Sequence, residues 1–285
     1  MTTSSYFTAP SGNKIHFLQS GSHSGPLLVC FHGLGGSNET FLPLLPSLPQ
    51  SFNIILVDFP GFGKSFLNKA AKPITVTGTV SDIHCLISFV QESAGTSKPE
   101  KIICIGHSFG AIVALHYAAK YPEAVAGLAL LGPGRAAGHI PAVRQRMLEL
   151  ASNVRSAGIG FAADAAAQSN FYGDTPERSA SQSTRGSVRK AVAGSDPEGY
   201  AQTCEALVDL DHTDPDYKNI KCSTVFVAGD KDVISPVDRS MELSKLIGGE
   251  SWLVTVRSGH QQVLEDTEGV GKALEELFAR LEKSP

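Results

Sequence analysis

A serine hydroxyl attacks a carbonyl well only when a neighbouring base takes its proton. One serine of this chain, Ser108, lies in Gly106-His107-Ser108-Phe109-Gly110, a G-x-S-x-G spacing. An apolar run, 101–105, precedes it, and a helix-like run, 111–119, follows. Strand, sharp turn and helix in that order form the context that makes the pentapeptide a nucleophile elbow. So tight a turn holds its central residue at an unfavourable backbone angle and projects Ser108 Oγ out of the sheet. Gly106 and Gly110 leave room for strand and helix to pass closely. The helix start adds unpaired N–H groups and partial positive charge, which suit an oxyanion.

The base for such a serine is usually a histidine held by a buried carboxylate. After an elbow of this kind the acid comes next in the chain and the histidine last. Of nine histidines, His116, His139, His212 and His260 lie downstream of Ser108. His116 falls about two turns down the following helix, pointing away. His139 and His212 fall in a stretch of altered composition and read as surface or pocket-lining groups. His260, in Arg257-Ser-Gly-His260, follows a strand, at the sheet end where open α/β folds place their sites. It is the expected base. Gly229-Asp-Lys-Asp-Val-Ile-Ser-Pro236 follows another strand and offers Asp232, with Asp230 as the alternative acid. Asp209, Asp211 and Asp214 precede that strand and read as a solvated turn. The expected oxyanion donors are the backbone N–H groups of Phe109 and Leu34. The glycines of His32-Gly33-Leu34-Gly35-Gly36 let that loop approach a substrate, and His32 is expected to pin it.

Other motifs fail on inspection. Gly63-Lys64-Ser65 imitates a phosphate loop, but Asp58 stands where the first glycine is needed. Gly33-Leu-Gly35 lacks the third glycine of a dinucleotide fingerprint, and no metal-ligand spacing occurs. No metal or cofactor is expected. A serine in the elbow, rather than aspartate, argues against epoxide hydrolase and haloalkane dehalogenase chemistry.

These groups must be positioned by a sizeable core, and 285 residues with 42% hydrophobic and 18% charged content supply one. A net charge of −4 without a basic cluster gives nucleic-acid binding no electrostatic support. No basic n-region with an apolar h-region opens the chain, no apolar run approaches a membrane span, and the end carries no retention address. Five scattered cysteines fit a reducing compartment, so a cytoplasmic location is expected. Strands are expected over 6–9, 14–19, 26–31, 52–57, 101–105, 124–131, 223–228 and 252–256. A weak helix is expected over 41–48, with helices over 79–92, 237–247 and from the last strand to about residue 281. Their alternation implies a parallel sheet covered on both faces. Between 135 and 217 the chain turns Ala- and Ser-rich, with helical pieces at 141–156 and 198–209 and a weakly patterned middle, 171–187. That segment reads as an inserted helical cap (135–217) on a core of 1–134 and 218–285.

His32-Gly33, Asp58-x-Pro60-Gly61-x-Gly63-x-Ser65, Gly106-x-Ser108-x-Gly110, Gly229-x-x-Asp232-x-x-x-Pro236 and Gly259-His260 occur in one order across most of the chain. In these pieces the chain resembles the α/β-hydrolases that cleave ester, lactone and carbon–carbon bonds. The stretch 197–207, with Asp209, is similar to the cap end of 3-oxoadipate enol-lactonases. The resemblance implies an α/β-hydrolase fold, a mostly parallel eight-stranded sheet flanked by helices with an inserted helical cap. It implies a serine hydrolase acting on a small carboxylic ester or lactone through Ser108, Asp232 and His260. The alternatives are a carbon–carbon bond hydrolase of β-diketone or meta-cleavage type, a perhydrolase-like side activity, and a non-catalytic small-ligand receptor. Leu34, Phe109, Phe161, Phe171 and Val233 are the expected pocket walls. Arg135, or Arg155, would meet a substrate carboxylate. The expected partner is a small-molecule ester or lactone, with no nucleic acid or membrane, in a monomer or homodimer.

Overall fold

A computed structural model of the chain describes residues 2–95 and 100–283. Met1 and residues 284–285, on which the targeting expectation partly rests, lie outside the described residues. The eight strands are β1 (Thr3–Thr8), β2 (Lys14–Gly21), β3 (Leu27–Phe31), β4 (Asn53–Val57), β5 (Ile102–His107), β6 (Val125–Leu131), β7 (Ser223–Gly229) and β8 (Ser251–Val256). They form one sheet in the order β1-β2-β4-β3-β5-β6-β7-β8. The pairs β1–β2 and β2–β4 are antiparallel, and the rest are parallel.

The unbroken apolar runs are explained by burial on both faces, since successive strand residues point to opposite sides. Leu27, Val29 and Phe31 of β3 join one core, and Leu28 and Cys30 join the other. On the first face lie α1 (Val76–Ser93) and α2 (Phe109–Lys120), which bury Val80, Ile83, Val113 and Leu115. On the second lie α9 (Thr267–Lys283) and a 3-10 segment, Asn38–Ser47, whose prolines Pro43 and Pro46 keep it from becoming an α-helix. Helices α7 (Val237–Ser244) and α8 (Gln262–Glu265) flank β8 in the chain.

Between β6 and β7 run four helices, α3 (Pro141–Ala157), α4 (Ile159–Ser169), α5 (Gln182–Ala193) and α6 (Pro197–Leu207). The first and last match the helical pieces expected at 141–156 and 198–209. The sequence reading missed α4 and α5. Helix α4 buries only alanines, Ala162, Ala163 and Ala166, and α5 buries only Val188 and Val192. So sparse a stripe leaves little periodic signal. What marked α5 was its cap, Ser181, whose hydroxyl accepts from the Thr184 N–H. Helix α6 touches the loop after β4 directly: a Cβ on Gly61, at φ 85°, would lie 2.8 Å from Gly199 Cα. All five cysteines are free. No helix among the described residues is long and apolar enough to cross a membrane.

Candidate active site

The turn between β5 and α2 carries Ser108 at φ 52°, ψ −112°, and no other described non-glycine residue has a positive φ. Such a conformation costs about 1–3 kcal/mol and persists where the surroundings impose it. They do so here by close approach. A Cβ on Gly110 would lie 2.1 Å from Phe31 O, and one on Gly106 would lie 2.5 Å from Gly110 O. The glycines thus let the start of α2 sit against the end of β3, leaving Ser108 at the crest.

Ser108 Oγ–H donates to His260 Nε2 (2.9 Å), and His260 Nδ1–H donates to Asp232 Oδ2 (2.8 Å). An ionised carboxylate only accepts, which places the other imidazole proton on Nδ1. Asp232 is itself saturated: Oδ1 accepts the Ile234 and Ser235 N–H groups, and Gln262 Nε2 donates to Oδ2 at 3.2 Å. Burial pushes its carboxyl up, but the His260 hydrogen bond and charge and these backbone N–H groups outweigh it, leaving the carboxyl below its ordinary range. The alternative acid, Asp230, lies two residues away in the chain and points elsewhere. It takes two bonds from Arg178 (2.6 and 2.8 Å) and one from the Ser258 N–H (3.0 Å).

The loop carrying His260 is held at three consecutive N–H groups. His260 N–H donates to Asn170 O (3.0 Å), so the segment after α4 reaches the imidazole loop. Gly259 and Gln261 N–H both donate to Glu265 Oε1 (2.9 and 3.2 Å). From behind, His107 Nε2–H donates to His260 O (2.6 Å). Burial, then the nearby His260 charge, lowers the His107 pKa to about 3, so His107 remains a neutral donor.

Glu265 was not singled out from sequence, and its only local signal is its position five residues after His260. Its Oε2 is buried without a partner among the described residues, and burial raises its pKa from 4.5 to about 7, against the pull of the Gln261 and Gly259 N–H groups. Between those values the folded protein binds more protons than the unfolded chain. Stability therefore falls as pH rises through that window. Glu265→Gln, which cannot ionise, is expected to shrink the loss of melting temperature between about pH 5 and pH 8, the range over which this carboxyl loses its proton. Equal losses in variant and wild type would refute this assignment.

Gly33 packs on the elbow, where an added Cβ would lie 3.0 Å from Ser108 Cβ. Leu34 is the next residue of that loop. Among the described residues the Leu34 N–H has no acceptor, and the Phe109 N–H, first in α2, has none within its helix. His32 braces this loop: Nδ1–H donates to Gly33 O (2.7 Å), and Nε2 accepts the Phe59 N–H (3.0 Å). A second chain of the same residue types escaped the sequence reading because its histidine precedes the elbow. Ser4 Oγ–H donates to His16 Nε2 (2.8 Å), and His16 Nδ1–H to Asp58 Oδ2 (2.7 Å). Asp58 also accepts the Asn38 and Lys64 N–H groups, so this chain ties the loop after β4 to β2.

Ser108 and His260 open into a cavity of about 500 Å³, within the size range of small-molecule sites. Helix α3 and the end of α6 form one wall, and Ile112 and the loop after β7 form the other. Of the residues expected from sequence, Phe109, Val233 and Arg135 line it. Phe161 and Phe171 do not. Phe161 is 49% exposed, and Phe171 is buried in the core under the Arg185 guanidinium. Both were chosen for apolar size alone; Phe161 sits on an exposed face of α4, and Phe171, in the segment after α4, packs into the core. Leu34 lines a separate cavity beside α5. Arg135 is neutralised by Asp214 (2.9 and 2.5 Å), and Arg155, bound by Glu198 and Glu205, lies outside the cavity. His116 and His212 pair with each other at 3.2 Å, and His139 lies in a groove beside Arg144 and Leu210. Arg146, Arg239 and Met147 line the cavity without having been expected there.

Sheet, elbow and site together define a hydrolytic enzyme of the α/β class. Residues 28–270 match the model of the Alpha/beta hydrolase family, and the chain belongs to that family. It is 26% identical over 288 residues to Proline iminopeptidase PfmaB of Pestalotiopsis fici, an alignment covering 94% of this chain and 97% of that protein. Among solved structures, a thermophilic esterase from Thermogutta terrifontis superposes with a TM-score of 0.83 at 24% identity, covering 98% of this chain and 99% of that one. The enol-lactonase from Burkholderia xenovorans LB400 superposes with a TM-score of 0.80 at 22% identity, covering 96% and 100%.

Proposed function

We propose that this protein hydrolyses small carboxylic esters or lactones through an acyl-enzyme on Ser108. The observation that carries this reading is the Ser108–His260–Asp232 chain of hydrogen bonds opening into the 500 Å³ cavity. In this mechanism Ser108 Oγ attacks the carbonyl carbon as its proton passes to His260 Nε2. The imidazolium is stabilised by Asp232, and the Phe109 and Leu34 N–H groups hold the oxyanion. The C–O bond breaks as Nε2–H protonates the leaving alkoxide or enolate. A water then gives a proton to Nε2 and attacks the acyl carbon, and the acid is released as Ser108 regains its proton. On this reading 135–217 is a cap over a core of 1–134 and 218–285. The esterase and the enol-lactonase named above act, by their names, on bonds of this kind.

The iminopeptidase relative raises peptide hydrolysis as a competitor. Such a substrate presents a cationic chain terminus, yet among the described residues the cavity lining contains arginines and no Asp or Glu. The lining charge therefore favours esters. A panel of aryl and alkyl esters, lactones, a vinylogous 1,5-diketone and a prolyl arylamide tests the reading. Turnover of an ester or lactone, with fluorophosphonate labelling of Ser108, is the expected result. Consumption of the diketone or the arylamide alone would overturn it.

A further inference from the structure

We infer that the ester taken by this site carries a carboxylate at the end of its acyl chain, held by Arg146 and Arg239. This rests on the ester-hydrolase reading above and adds the substrate class to it. Three guanidinium groups line the cavity that holds Ser108 and His260, and they differ in what they face. Arg135 is neutralised by Asp214, whose Oδ2 accepts from both Nε and Nη2 while Oδ1 accepts the Ala136 N–H. Neither Arg146, on α3, nor Arg239, on α7, has a carboxylate within ion-pairing distance among the described residues.

Arg239 is half-buried, and its Nη1 donates to Ile234 O at 2.8 Å, which anchors the guanidinium on the loop after β7. Arg146 stands exposed on α3 and lines the same cavity. The same cavity is lined by apolar side chains, including Ile112, Val143, Met147 and Val208. Two positive charges without a carboxylate partner, lining one largely apolar cavity, attract an anion, and planar guanidinium groups match a carboxylate best. The geometry points to monoesters of dicarboxylic acids: the ester carbonyl at Ser108, the chain along the apolar wall, the free carboxylate between the arginines.

The test compares monoethyl glutarate with ethyl 5-methylhexanoate, in which an isopropyl group replaces the carboxylate at equal chain length. The wild-type enzyme is expected to prefer the anionic ester in kcat/KM by about tenfold or more, mainly through KM. Arg146→Met and Arg239→Met are each expected to lower that preference by about tenfold, with partial recovery in Arg146→Lys. Glutarate itself should inhibit the wild-type enzyme competitively, a measurement that needs no variant. No charge preference, or a preference unaltered in both methionine variants, overturns the proposal while leaving ester hydrolysis intact. Equal losses on both substrates in Arg239→Met would make Arg239 a loop prop and overturn its part. Failure of the ester reading has a different signature, with neither ester hydrolysed and Ser108 unlabelled.

Discussion

Ser108→Ala is expected to lower kcat by about 10⁴-fold or more, with the fold retained. The hydroxyl is the only group removed, and what remains is binding and the two N–H donors. Ser108→Gly sharpens the test, because it separates chemistry from stability. Residue 108 sits at φ 52°, a conformation that charges a side chain about 1–3 kcal/mol and glycine nearly nothing. Glycine's larger entropy in the unfolded chain takes back about 0.5–1 kcal/mol. The glycine variant should therefore be as inactive as the alanine variant yet melt about 2 °C higher than wild type. Ester hydrolysis in parallel with a thermal melt reads both. Activity within tenfold of wild type in either variant would exclude Ser108 as the nucleophile.

The second large effect is expected at Asp232. Replacing it by asparagine keeps an oxygen for the Ile234 and Ser235 N–H groups, so the loop after β7 should hold its shape. The partner of His260 Nδ1 is then an amide, whose NH₂ face donates. The imidazole is driven to the other tautomer, with its proton on Nε2 facing Ser108, and the base is lost. A fall of about 10⁴-fold in kcat, with a smaller change in KM, follows. Asp230→Asn is the matched control. Asp230 is spent on Arg178 and the Ser258 N–H, and its side chain is 37% exposed, so its loss should cost less than about tenfold. Reversed magnitudes in the two variants would exchange their roles.

Much of the scaffold was legible in the residues because its demands are local. A strand covered on both faces must be apolar along its buried length, as β3 and residues 102–106 of β5 are. An elbow must have small residues where two backbones touch, as at Gly106 and Gly110. The loop after β4 must close on Asp58, and a Cβ on Gly63 would lie 2.4 Å from that carboxylate. Such constraints act over a few residues and leave a spacing that can be read directly. Helices α4 and α5 were hidden because they are held by few apolar contacts and by tertiary packing.

The chemistry available to this chain, a serine, an imidazole and a carboxylate at the ends of parallel strands, was determined by the sequence alone. Tertiary structure decided which charges remain free. Asp230 and Asp232 differ by two positions, and only the backbone path after β7 turns one to His260 and the other to Arg178. Arg135 is cancelled by a residue 79 positions away, whereas Arg146 and Arg239, from separate helices, face one cavity. An ionic group's role depends on what lies within a few ångströms of it, and residues far apart in the chain supply those neighbours only after folding.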